Sequence, residues 1–204
     1  MQEHQPSQYS EDGTDFANGK QGTNQGDFKT FKAAEKMAEE QMKQPGMDID
    51  SIEIVPRAMW NAVEPKSKIP LDKPITAVLA TYTGTEPCFD DVDCKRIIQN
   101  LQISQMEQKQ LPDIQWNFMI GGTGQVYEGR GFDNLASKPP HYNKEALDSL
   151  DIAYIGNNEE EQLVPCMFAS LNGLIATALE RGFLTKPFAY LQDSPQYRRV
   201  LRLY

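Results

Sequence analysis

The stretch Trp116-Asn-Phe-Met-Ile-Gly-Gly-Thr-Gly-Gln-Val-Tyr-Glu-Gly-Arg-Gly131 decides how the rest of the chain is read. Trp116 to Ile120 and Gln125 to Glu128 have the composition of short strands, and Gly121-Gly-Thr-Gly124 between them supplies residues that tolerate positive φ in a tight turn. The segment predicts a β-hairpin. It holds no residue suited to hydrolysis. The whole chain has two histidines, His4 and His141, and three cysteines, which bounds any mechanism that needs several of either.

Working outward, Ile52 to Val55 reads as a short strand ended by Pro56, and Ile75-Thr-Ala-Val-Leu-Ala-Thr81 as an apolar strand opened by Pro74, of the kind buried on both faces. Asp90 or Asp91 caps a helix whose Val92, Ile97, Ile98, Leu101 and Met106 make one apolar stripe, and Pro112 closes that region. Beyond the hairpin, Leu150 to Ile155 alternates and stops at Gly156, which predicts another strand. Val164, Met167, Phe168, Leu171, Leu174, Ile175, Ala178 and Leu179 then predict a helix of about five turns, with Gly182 at its C′ position. The expected fold class is α/β, a central mixed sheet flanked by helices.

At 204 residues, 39% hydrophobic and 24% charged, the chain has material for one core and a tail. A formal charge of -9 and a pI near 4.8 oppose capture of nucleic acid or anionic lipid, which needs a concentrated basic surface. No apolar run approaches the ~20 residues of a membrane span, so no span is expected in this chain.

Residues 1–50 carry ten acidic and five basic side chains, net -5 of the total, and their first part is too polar to offset the entropy of ordering. They are expected to be a disordered acidic tail with one short amphipathic helix near 28–44, where Phe28, Phe31, Ala34, Met37, Ala38 and Met42 recur at helical spacing before Pro45-Gly46. That helix either frays or packs on the domain, or it docks another protein. Residues 51–204 are expected to be the folded domain.

Five motifs in order carry a resemblance. Ile54-Val-Pro-Arg-Ala-Met-Trp60, the pair Cys88 and Cys94, Asp113-Ile-Gln-Trp-Asn-Phe-Met-Ile-Gly-Gly122, Val126-Tyr-Glu-Gly-Arg-Gly131 and Ile152-Ala-Tyr-Ile-Gly156 together resemble the peptidoglycan recognition proteins of animals, most closely those of insects. The resemblance implies a type 2 amidase-like fold and binding of bacterial peptidoglycan. It also implies a disulfide between Cys88 and Cys94, while Cys166 reads as a small buried apolar residue.

Some members of that family cleave an amide with zinc, which needs three protein ligands and an open fourth position. The family's first histidine falls on Thr81, its second on Ser137, its cysteine on Ser194 and its assisting tyrosine on Trp116. Neutral hydroxyls are poor zinc ligands and an indole only donates a hydrogen bond. His141 reads as a solvated loop residue. The chain is therefore expected to be a degenerate amidase with no metal and no cofactor.

For ligand binding the resemblance implicates Arg130, Thr81, Tyr82, Trp116 and Asn143. Arg130 stands where the family places an arginine on the extra carboxylate of diaminopimelate-type stems, a task suited to a planar fork; the competing reading is an ion pair with Glu128 or a nearby acid. The family's accompanying Gly-Trp pair reads Gln110-Leu111 here, paired prolines in Lys138-Pro-Pro140 stiffen the next segment, and the end of the chain lacks the family's final helix. The implied partners are peptidoglycan fragments, related receptors or signalling adaptors. The absence of a leader points to the cytoplasm or to one isoform of an anchored or secreted protein, while the cysteine pair argues for an oxidising compartment.

Overall fold

The computed structural model describes residues 52–137, 148–157, 164–194 and 197–203, with side chains through residue 191. The readings of the tail, of its helix near 28–44 and of the Lys138–Asn143 segment fall outside these residues. Seven strands form one mixed sheet in the order β1-β4-β3-β5-β2-β6-β7. They are β1 (Ile54–Val55), β2 (Ile75–Tyr82), β3 (Phe118–Ile120), β4 (Val126–Glu128), β5 (Leu150–Tyr154), β6 (Leu184–Ser194) and β7 (Tyr197–Leu203). The β3–β4 hairpin and the β6–β7 pair are antiparallel, and the other contacts are parallel.

Among the described residues two α-helices cover the sheet. Asp91–Glu107 is α1; Asp90 caps it by accepting from the Asp93 amide at 2.9 Å, and Asp91 and Asp93 place negative charge at the positive end of its dipole. Pro165–Glu180 is α2, entered through proline at its first turn. It ends at Gly182, φ +68°, where the Gly182 amide donates to Leu179 O and the Phe183 amide to Ala178 O, the two bonds of a Schellman stop.

The pleat sorts side chains onto the two faces. Val78 and Ala80 of β2, Phe118 and Ile120 of β3, and Ile152 and Tyr154 of β5 pack with Met167, Leu171 and Leu174 of α2. Met119 of β3 and Ala153 of β5 point the other way and pack with Trp60, Ile114, Trp116 and the α1 residues Ile97 and Ile98. Covered on both sides, β5 is buried at all five positions, Asp151 included, although its sequence alternates.

The last two strands were not among the predicted elements. Pro187 lies inside β6, a position that argues against a strand in sequence. The structure accommodates it at a register shift: Ile75 pairs with Leu184 but Ala77 with Ala189, so the proline sits in the extra length of β6.

Candidate functional site

Three of the four positions expected to mark a lost catalytic centre converge beside β3 and β2. The Trp116 indole Nε1 donates to Thr81 Oγ1 at 2.7 Å, with Trp116 only 4% exposed. The Ser137 amide donates to Gln115 O at 2.8 Å, which lays that residue alongside the backbone of Trp116, and its buried Oγ has no partner among the described residues. Ser194 ends β6, two residues beyond the Ala80–Gln192 pair, and its side chain is outside the description.

The donor set does not fit zinc. Thr81 already uses a lone pair on the indole, an indole N–H has none to offer, and among the described residues no group of three His, Cys, Asp or Glu could hold a metal ion.

Tyr82, expected in the same ligand set, faces the opposite side of the sheet. It follows Thr81 directly, so the strand's two-residue period turns it toward α2, where its ring lies 5.6 Å from that of Tyr154. Tyr154 in turn meets Phe168 at 6.4 Å. Burial pushes the Tyr190 phenol up to about 12 and raises Tyr154 well above the ordinary value. Asn143, the fifth expected ligand residue, lies outside the described residues.

Arg130, expected to take a ligand carboxylate or to pair with an acid of the chain, is placed on an acid of the chain. Its guanidinium is interior, 2% exposed, with Nη1 donating to Asp113 Oδ2 at 3.1 Å and to Ser67 O at 3.0 Å and Nε to Leu135 O at 3.1 Å. Of the acids the competing reading allowed, Glu128 or another nearby, the partner is Asp113. Asp113 also takes Arg57 Nη1 at 3.0 Å, Arg57 Nη2 at 3.1 Å and Gln102 Nε2 at 2.6 Å. One buried carboxylate thus joins the 3-10 turn Arg57–Trp60, helix α1 and the end of the hairpin. The loop bearing Trp116 is fixed further by Gln105 Oε1, which accepts from the Gln115 amide at 2.9 Å. Sequence reading quoted Arg57 and Asp113 as motif residues but missed Gln102 and Gln105, whose only signal was two glutamines at apolar-stripe positions of α1.

The hairpin turn uses its glycines differently from the expectation. Only Gly124 has positive φ, +85°. Gly121 is needed for space, because a Cβ there would stand 2.7 Å from Cys94 Sγ, and one on Gly122 would stand 2.7 Å from Cys88 O. Cys88 and Cys94 form the disulfide, Cα atoms 5.1 Å apart, that packs on this turn. Cys166 is not buried; it is an exposed thiol on the first turn of α2 that donates to Gly122 O at 3.3 Å.

This architecture recurs in proteins of related sequence. A peptidoglycan-recognition protein of Drosophila simulans is 34% identical over 156 residues, 76% of this chain and 79% of that protein. The chain belongs to the peptidoglycan recognition protein family. These are innate-immunity proteins with an amidase-like fold. Peptidoglycan-recognition protein 3 of Holotrichia diomphalia is 33% identical over 135 residues, covering 66% of this chain and 71% of its own length. Among solved structures, Drosophila peptidoglycan recognition protein SD matches with a TM-score of 0.63 at 31% identity, over 70% of this chain and 83% of that one. Peptidoglycan recognition protein LE, solved with tracheal cytotoxin, a monomeric diaminopimelic acid-type peptidoglycan, matches with a TM-score of 0.63 at 28% identity, over 68% and 81%. No protein-family model matches the chain. No helix among the described residues is long and apolar enough to cross a membrane.

Proposed function

We propose that this chain is a non-catalytic peptidoglycan recognition domain, which binds peptidoglycan fragments or regulates a sensing relative and its signalling without cleaving them. The hydrogen bond from the buried Trp116 indole to Thr81 carries this reading. It ties together two positions where the zinc-dependent members of the family have a metal ligand and the assisting tyrosine, and it leaves neither able to activate water. The complex of peptidoglycan recognition protein LE with a diaminopimelic acid-type fragment supports that class of ligand.

A second reading, a module that has lost ligand binding and pairs with related receptors or adaptors, draws on the enclosure of Arg130 by Asp113. Co-sedimentation with insoluble diaminopimelate-type peptidoglycan separates the two. Retention of the protein, no bound zinc by elemental analysis and no release of stem peptide are the expected results. Release of stem peptide would end the non-catalytic reading, and failure to sediment would transfer the role to the pairing module. For the tail, deletion of residues 1–45 with unchanged partner binding would discard the docking helix.

A further inference from the structure

The sheet has two ends, and they differ in length. At one end stands β1, 2 residues long, while at the other β7 runs for 7, Tyr197–Leu203, and among the described residues pairs only with β6. A terminal strand leaves a row of backbone N–H and C=O groups without ladder partners, and proteins commonly blunt such an edge by shortness, proline, a bulge or charge. Shortness blunts β1. Strand β7 contains no proline, and its register with β6 is unbroken from Ser194↔Tyr197 to Phe188↔Leu203. It is a regular edge of full strand length.

What guards this edge is charge, and charge also selects what can cover it. Arg198, Arg199 and Arg202 stand in β7 with no acidic residue among them, in a chain of net charge -9. Like charges directly opposite on neighbouring strands are destabilising. A second copy adding antiparallel about Val200, the register that uses the whole strand, would set Arg198 of each copy opposite Arg202 of the other, so self-pairing is opposed. Within the sheet, Asp193 of β6 lies opposite Arg198, but Arg199 lies opposite Gln192 and Arg202 opposite Ala189. No carboxylate is therefore placed across from these two on the β6 side, and the open side is where one can be.

We infer that the free edge of β7 takes an extended acidic segment of a partner protein, which adds a further strand to the sheet. Main-chain hydrogen bonds hold such a strand, and carboxylates opposite Arg199 and Arg202, with the positions opposite Val200 and Leu201 between them, fix its register. This surface lies two strands away from β2, which carries Thr81, and the inference goes beyond the recognition reading without depending on it.

The test titrates the full chain into a labelled extended peptide as long as β7, with glutamate opposite Arg199 and Arg202 and valine or threonine elsewhere, followed by fluorescence anisotropy. Three further probes accompany it: the same peptide with glutamine for glutamate, and two versions N-methylated at alternate residues, one along each edge. The glutamate probe is expected to bind, and both the glutamine probe and the Arg199→Gln, Arg202→Gln double variant are expected to weaken binding about fivefold. Of the two N-methylated probes only one is expected to bind, because only one edge of an added strand meets β7. Circular dichroism and thermal midpoint verify the fold of the variant, while the N-methylated probes test strand addition on the wild-type chain. Absence of binding by the glutamate probe, equal binding by the glutamine probe, or no difference between the N-methylated pair overturns the inference. A dimer of the chain in sedimentation velocity that the probe dissociates would place a second copy on this edge and overturn the acidic partner.

Discussion

Asp113 shows how much of this region depends on one buried side chain. Its carboxylate balances Arg57 and Arg130 in the interior, and Asp113→Ala would leave two guanidinium groups without a counter-charge. Breaking a buried ion pair from one side costs about 3–5 kcal/mol, so that variant is expected to lose this much in urea denaturation. Arg130→Ala is expected to be destabilised through the same network, so any loss of ligand binding in it must be separated from loss of fold. The residues of this network were legible as types but not as partners. Arg130 and Asp113 are 17 positions apart and Arg57 and Asp113 are 56 apart, so nothing local signals that the three meet. By contrast Trp116 and Thr81 were named together in sequence because the resemblance assigns both to one place, and the indole-to-hydroxyl bond brings them into contact. Tyr82, named with them, faces the other way, since neighbours on a strand are adjacent in sequence and on opposite faces in space.

At the scale of elements, the hairpin is held by close approach more than by turn conformation. A Cβ on Gly129 would stand 2.2 Å from Trp116 O, against backbone that cannot step aside. Gly129→Ala is therefore expected to destabilise by about 1–3 kcal/mol, the range for overpacking, and to move the Trp116 loop; a fall in thermal midpoint with altered indole emission is the readout. On the other side of the hairpin, the Cys88–Cys94 link closes a short loop over Gly121 and Gly122. Its removal in the paired Cys88→Ser and Cys94→Ser variant is expected to cost about 2 kcal/mol by loop entropy, measured under oxidising conditions against the same protein reduced. Helices α1 and α2 and strands β1 to β5 were legible in sequence because their periodicities, caps and glycine stop coincide with the observed boundaries to within a residue or two. Strands β6 and β7 were not, since Pro187 is tolerated only through a register shift that depends on β2.

Across the whole molecule, the two faces of the sheet differ in what they contain. The α2 face carries Tyr154 and Tyr190, whose phenols burial raises above the ordinary value, Tyr190 to about 12. A phenol with a raised native pKa holds its proton more tightly when folded, so its contribution is complete below the unfolded value near ~10 and is lost as pH climbs toward the native one. Stability is therefore expected to be level through neutral pH and to fall from about pH 10 to 12, with late-ionising tyrosines visible in a spectrophotometric titration. Tyr190→Phe should flatten part of that decline. The other face holds both tryptophans of the chain, Trp60 and Trp116, in a single core cluster with α1. Intrinsic tryptophan fluorescence is consequently a one-sided instrument for this protein. It follows loosening of the disulfide-bearing half, and it has no direct emitter among the described residues packed under α2, where tyrosine absorbance must be followed instead.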